Sequence, residues 1–435
     1  MATTTATYEE HDRRTLSFEG LIAHLSRGPN MPTSMHLRSM LLAPFTSSWY
    51  AQQADELDAA RRAKHGDELD QWRWDVVEAY RQQVQVAVVG RRVPSDVLRA
   101  ADGKEQREKE EEQEQEAEEE PYAVIMIGYM GPGGATHADI LRVNPERWGR
   151  PMLSLWLSSQ TQDSDGTAPL SPATKALLDH LLLEYIPRAM QRLIGSTTTA
   201  AAPNFLVGLG AVHTPAVRYW REKGAVEYIH DYIHFLRQDQ RQLLPLPVED
   251  QDKDWHEATI QSDSDVRLVQ GINKISYPTW YIDARRDRSI ILRDAFTPGG
   301  EERQETDAEY ARERARGAAA GWAFVHEDMT LGSLHVAPAY RRFLRSSQPS
   351  QGDPTKEAKK KSVGHVCVDR IEPMVLEAQR TSFERAGLSP QLPTEYFLAT
   401  EAEDNEAALR FFKKVGFVPF MHTSWGTINV SPTTS

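Results

Sequence analysis

Cysteine is almost absent. Cys367 is the single one in 435 residues, which excludes an intramolecular disulfide and fits a reducing compartment. Long apolar runs are missing too. The longest, near 122–130, is far too short to cross a bilayer. The opening MATTTATYEEHDRRTL has no apolar segment of the kind a secretory signal needs. Basic residues are outnumbered, 50 Lys and Arg against 63 Asp and Glu, for a net charge of −13. Nucleic acid needs the opposite balance, so neither nucleic acid nor a membrane is expected as a partner. The expected location is the cytoplasm, with the nucleus as the alternative.

The acidity is concentrated. Residues 104–120, KEQREKEEEQEQEAEEE, carry ten glutamates against three basic residues. Like charges repel and nothing there can form a core, so 101–120 is expected to be a solvated, disordered insertion. The remaining chain is long for one core, and it holds a repeat. NFLVGLGAVHTPAVRYWREKGAVEY begins at Asn204 and YFLATEAEDNEAALRFFKKVGFVPF at Tyr396. Setting Phe205 on Phe397 puts Arg218 on Arg410, Tyr219-Trp220 on Phe411-Phe412 and Gly224 on Gly416, without a gap. Each stretch reads as a strand, a polar turn, an amphipathic helix stopped by a C-cap glycine, and another strand. We expect two copies of one fold: residues 16–245 and 250–435, after a disordered 1–15.

In the first copy, strands are expected over 123–130 and 152–157. A helix is expected from N-cap Ser171 and Pro172 to about Ile194, interrupted at Pro187. The second opens with a strand near 255–260 and a helix entered at Asp263/Asp265. Strands follow over 289–293, 322–326, 331–336 and 397–400. A helix over 404–415 and closing strands near 417–422 and 427–430 complete it. Strands and helices in this order argue for a mixed α/β (α+β) sheet.

The strand ending LGSLHVAPAYRR runs into a polar stretch, 343–360, read as a disordered insertion. Directly beyond it, Lys361-Ser362-Val363-Gly364-His365-Val366 forms a loop before a helix with Val368, Ile371, Val375, Ala378 and Ser382 at helical spacing, Pro373 as a kink and Gly387 as cap. A strand, a basic or glycine-bearing loop and a helix N-terminus together make an anion site, because free N–H groups and the helix dipole face the same point.

LGSLHVAPAYRR, KSVGHV with its helix, and FLATEAEDNEAALRFFKKVGF together resemble the coenzyme-binding core and C-terminal motif of the GNAT superfamily of N-acetyltransferases. The likeness extends to tandem members, fungal ones and the glycine N-acyltransferase-like branch among them. It is specific over most of 250–435 and loose over the first copy, which then reads as a degenerate GNAT-like half shaping the acceptor cleft. The resemblance implies an acetyl-CoA (or other acyl-CoA) site between splayed strands. Leu334, His335 and Val336 would bond the pantetheine arm and polarise the thioester. Arg341, Arg342, Lys361, Ser362, Val363, Gly364, His365 and Val366 would surround the pyrophosphate, with Asn405 and Phe412 near the pantetheine. It also implies direct attack by an amine, from a small molecule or a peptide, and a base to take the proton.

Two departures stand out. The family's Q/R-x-x-G-x-G/A loop is Lys361-x-x-Gly364-x-Val366, and Phe412 stands where many members carry a tyrosine hydroxyl. Candidate bases are Glu401, Glu403 and His335, each with a plainer reading as a solvated turn residue or a core histidine. Cys367 near the helix start reads as a buried structural thiol. His230 and His234 share a strand face but lack a third ligand, so no metal is expected. GPGG at 131–134 reads as a hairpin turn. The rival reading is a GNAT-like pair without turnover, serving as an acyl-CoA-binding or protein-interaction scaffold.

Overall fold

The computed structural model describes residues 7–27, 30–81, 84–99, 120–129, 151–159, 169–194, 205–237, 255–273, 277–294, 317–341, 344–345, 361–389 and 396–430. The acidic run up to residue 119, the GPGG turn, Arg342 and residues 346–360 lie outside them.

The first copy runs β1 (Glu9–Asp12), α1 (Phe18–Leu25), α2 (Met35–Leu42), α3 (Ser48–Gln52), α4 (Ala54–Arg62), α5 (Asp67–Arg81), β2 (Gln85–Gly90), β3 (Tyr122–Tyr129), β4 (Pro151–Leu157), α6 (Pro172–His180), α7 (Ile186–Ile194), β5 (Phe205–His213), α8 (Thr214–Glu222) and β6 (Val226–Arg237). The second runs β7 (Trp255–Ala258), α9 (Asp263–Ile272), α10 (Thr279–Asp283), β8 (Ser289–Asp294), β9 (Ala318–Val325), β10 (Thr330–Val336), β11 (Leu344–Arg345), β12 (Lys361–Ser362), α11 (Val363–Ala386), β13 (Leu398–Ala402), α12 (Glu406–Lys414) and β14 (Phe417–Val430). The register that sets Phe205 on Phe397 carries α8 onto α12 residue for residue, and Gly224 and Gly416 both end their helices at positive φ, 76° and 90°.

Local chemistry explains most boundaries. Ser171 caps α6 by accepting from Thr174 N–H. Ser262 and Asp265 form a reciprocal capping box at α9. Pro187 cannot donate to the carbonyl four residues back, and the helix widens ahead of it into a π turn over Leu181–Tyr185, so the interruption precedes the proline. α11 runs unbroken past Pro373 to Gly387 at φ 64°. Two expectations are corrected. Residues 9–12, placed in a disordered leader, form edge strand β1, because β2 offers a free edge and Glu9 to Asp12 pair with Gly90 to Ala87. The insertion expected over 343–360 is closed at its base, where β11 pairs with β12.

Among the described residues, all strands but that short pair join one mixed sheet, ordered β1-β2-β3-β4-β5-β14-β6-β13-β10-β9-β8-β7. Each copy's last strand therefore lies between the last two strands of the other. Alternation along the strands sorts the cores by face. Val86, Val88, Val124 and Met126 meet α1, α2 and α5, while Ala87, Val89, Ile125 and Ile127 meet α6 to α8. In the second copy Ile290, Leu292 and Leu331 pack on α11, and Ile291, Trp322 and Phe324 on α9 and α10. Burying Val363, Val368, Ile371 and Val375 contributes roughly 1.5–3 kcal/mol per side chain to holding α11. The far end of α11 docks on the first copy, where Arg73 donates to the carbonyls of Ala386 and Gly387, both at 2.8 Å.

Candidate functional site

β10 and β13 are parallel, and only Thr330↔Leu398 and Leu331↔Ala399 pair before they part. On its other side β10 pairs with β9, but the register slips between Gly332 and His335. Phe324 pairs with Gly332 and Trp322 with His335, so Ser333 and Leu334 share one opposing residue. Ser333 takes φ 47°, the left-handed turn of a bulge. Among the described residues, the β13 edge of β10 has no strand partner beyond the bulge, leaving Ser333 to Val336 beside the wedge where the two strands part.

α11 starts at the mouth of this wedge. Residues 363–366, expected as a loop, form its first turn, because Ser362 in extended conformation caps the helix by accepting from His365 N–H at 3.4 Å. The N–H groups of Val363 and Gly364 have no acceptor within the helix. The first turn holds no acidic residue. A Cβ on Gly364 would lie 3.0 Å from the Phe411 ring and 3.3 Å from Val336 Cγ2, so this glycine lets α11 approach α12 and the end of β10. Leu334, Val336, Val363, Val366 and Phe412 gather in that same core. Arg341 is exposed and its Nε donates to the Val336 carbonyl at 3.1 Å, taking one backbone acceptor at the mouth.

The other sequence-derived residues divide. His335 stacks on Trp322 at 4.4 Å, and its Nε2 is buried without a hydrogen-bond partner among the described residues. Burial first, then the Arg341 guanidinium, holds its pKa below the ordinary imidazole value. Asn405 serves as the N-cap of α12, accepting from Ala408 N–H at 3.4 Å while its Nδ2 donates to Glu401 Oε1 at 3.1 Å. Glu401 also accepts from Ala402 N–H. Glu403 sits apart from that pair, against His422 Nδ1. Phe412 is buried among Phe235, Phe411 and Phe417. Cys367 is buried under β9, and burial pushes its thiol pKa up.

The corresponding place in the first copy differs. β4 and β5 also pair in parallel only at Met152↔Gly208 and Leu153↔Leu209, but β4 pairs with β3 over its whole length without a bulge. Met152 fills the space over Gly208 and Gly210. Pro172, the first residue of α6, has no N–H to offer.

Sequence reading missed a polar cluster on the face opposite α11, at the closed end of the wedge. Asp328 accepts from Thr330 N–H and Oγ1 at 3.2 and 2.7 Å and meets His36 Nδ1 at 2.8 Å. His234 lies between Thr423 Oγ1 (2.8 Å) and Thr400 Oγ1 (3.2 Å). His36 and Asp328 stand 292 positions apart, and no local pattern joins them. Among the described residues no group of three His, Cys, Asp or Glu is placed to hold a metal ion, and no helix is long and apolar enough to cross a membrane.

The wedge, the bulge and the helix start beside it are the arrangement that the resemblance to GNAT folds implied for the second copy. No family model matches the sequence, and no curated protein matches it. Among solved structures, a Drosophila protein aligns over 98% of both chains at 11% identity and a TM-score of 0.42. A tandem GNAT protein from the clavulanic acid biosynthesis pathway aligns over 98% of this chain and 100% of its own at 10% and 0.37. A GCN5-related N-acetyltransferase from Sphaerobacter thermophilus aligns over 77% and 88% at 9% and 0.34. Likeness at this level establishes no family membership or activity.

Proposed function

We propose that the second copy binds acetyl-CoA, or another acyl-CoA, and transfers the acyl group to an amine. One observation carries this reading: the bulge at Ser333-Leu334 opens onto a wedge whose mouth is the Ser-capped N-terminus of α11, with no acidic residue in its first turn. Bound there, the coenzyme supplies a thioester whose carbon accepts the amine while sulfur departs. The first-turn N–H groups of α11 suit a pyrophosphate, and a lysine, Lys361, stands two residues ahead of the helix in sequence. Ser333 and Leu334, unpaired toward β13, can turn backbone N–H groups to the thioester oxygen, where charge builds during attack. Asn405, held by Glu401 and Ala408 at the start of α12, would supply a polar group on the β13 side. β4, the first copy's counterpart of β10, lacks the bulge, so we assign the coenzyme to the second copy alone.

The test is calorimetric titration of the full chain with acetyl-CoA and free CoA, beside Ser362→Asp. Aspartate caps a helix as well as serine does, so folding is retained, but its carboxylate stands where a pyrophosphate would lie. We expect micromolar binding in the parent and a loss of about tenfold or more in the variant, on the order of 1.4 kcal/mol. Equal affinity would remove the helix terminus from the site, and no binding in the parent would remove the reading.

A second reading, binding without turnover, is favoured by Phe412. It is buried in an aromatic core and offers no hydroxyl to the departing sulfur. Acetyl-CoA that binds but yields no thiol with any amine would select it.

A further inference from the structure

The geometry points to His36 as the proton acceptor for the attacking amine, with Asp328 as its positioning residue, so that the first copy completes the second copy's site. This rests on the coenzyme reading above.

The two parting strands each hold one arm of the polar cluster. Thr330 of β10 holds Asp328, which meets His36 of α2. Thr400 of β13 holds His234 of β6. Leu331 and Ala399, between these threonines in sequence alternation, point into the α11 core. An acyl arm lying on the α11 side of the wedge therefore has this cluster behind it, and an amine arriving from the opposite face meets the cluster first. Both imidazoles come from the first copy, and the carboxylate and both threonines at the wedge come from the second.

Three imidazoles crowd the cluster, and they are not equivalent. Burial first, with His36 next, brings the His234 pKa down to about 3, and both its nitrogens are taken by hydroxyls. Burial brings His326, at the end of β9, down to about 4, and it stands between the hydroxyls of Tyr281 (3.0 Å) and Tyr277 (3.5 Å). Both stay neutral near pH 7 and resist taking a proton. Only His36 has a carboxylate on its ring. Burial alone would raise the Asp328 carboxyl, yet the hydrogen bonds it accepts from His36 and Thr330 oppose that rise, and its pKa stands below the usual carboxylate range. The bond to Asp328 orients the His36 ring through Nδ1 and turns Nε2 to the Ser154 hydroxyl at 3.4 Å, the contact an incoming amine would displace. His36 and Asp328 are 5% and 8% exposed, so the imidazolium formed is held against an anion in a poorly screened setting. The charged and titratable groups facing His36 are Asp328 from the β9–β10 turn, His234 from β6 and His326 from β9, with Arg285 acting on His326.

In the step itself the amine nitrogen bonds to the acyl carbon as its proton passes to His36 Nε2. The carbon–sulfur bond breaks with its electron pair on sulfur, which leaves as the thiolate. His36 then returns the proton to solvent or to that thiolate.

The full chain, His36→Gln and Asp328→Asn are each titrated with acetyl-CoA, then assayed for thiol release with ethanolamine, glycine, glucosamine and a blocked lysine. We expect unchanged coenzyme affinity in both variants and kcat lower by roughly 10²–10⁴-fold, with the KM for acetyl-CoA unmoved. If His36→Gln does not fold, the near-isosteric Asp328→Asn carries the same test. A parent that binds no coenzyme removes the parent reading and this one together. A parent that binds but releases no thiol, or variants that keep their rate, overturns the dyad and leaves the coenzyme reading standing. Loss of affinity and rate in parallel with a lower Tm makes the pair a structural tie and also overturns it.

Discussion

Phe235 of β6 stacks on Phe412 of α12 with ring centroids 5.5 Å apart and planes 28° from parallel. A side chain from the first copy thus closes the core of the second. The reason is the sheet order: β6 lies between β13 and β14, and β14 between β5 and β6. Neither copy owns the neighbours its final strand needs.

Separated copies should therefore fail to fold. Expressed alone, residues 1–245 would leave both edges of β6 unpaired and Phe235 exposed, an aggregation-prone state. We expect each piece to be insoluble or to lack a cooperative thermal transition by circular dichroism, and co-expression to restore one. A first piece that melts cooperatively by itself would mean β6 turns back onto β5.

Phe412→Tyr restores the hydroxyl that many members of the resembled family carry there. The ring is buried between Phe235 and Phe417, and an added hydroxyl would need a partner the aromatic core does not offer. We expect destabilisation by about 1–3 kcal/mol in urea unfolding and no gain in thiol release. A faster variant of parental stability would show that the ring's outer edge reaches the coenzyme.

Local signals carried much of the architecture. The repeat, the Ser171 cap and the Gly387 stop depend on neighbours a few residues away, so spacing revealed them. The reciprocal strand insertion was hidden, because an antiparallel edge fits either partner and only the assembled sheet selects one. The bulge was hidden too, since Ser333 takes its positive φ without a glycine to announce it. Gly364 was legible as a required glycine, yet the space it leaves is filled by Phe411, not turned to solvent. The site's far wall was out of reach because His36 and Asp328 meet only in three dimensions.

Glu372 should make stability depend on pH. Burial, more than anything, raises its pKa from 4.5 to about 7, although Arg237 donates to it at 2.6 Å; Asp369 on the same guanidinium adds to the rise. A carboxyl whose folded pKa is raised binds its proton more tightly when folded. Its stabilising effect is then complete below about pH 4.5 and fades as pH climbs to about 7, by at most about 1.4 kcal/mol per pH unit. Denaturant unfolding of parent and Glu372→Gln at about pH 5 and pH 7.5 checks the sign. The parent should lose more stability than the variant on going to the higher pH, and the reverse order would mean Arg237 dominates.

Glu327 is the most exposed to test of the buried charges, because it answers for two arginines. Arg81 Nη2 lies 3.0 Å from Glu327 Oε1 and Arg285 Nη2 3.9 Å from Oε2, all three side chains buried where α5 meets the β9–β10 turn. Arg285 also covers the Tyr281 ring at 3.4 Å. Glu327→Gln removes the only carboxylate within ion-pair distance of both among the described residues. Two guanidinium groups then stay buried without a counter-charge, a change that typically costs 3–5 kcal/mol. Arg410→Ala breaks an exposed pair of the same 3.0 Å length with Glu406 and should cost no more than about 0.5 kcal/mol. If urea unfolding finds the two variants equal, water or a relaxed side chain reaches the arginines, and the junction between the copies is looser than its burial implies.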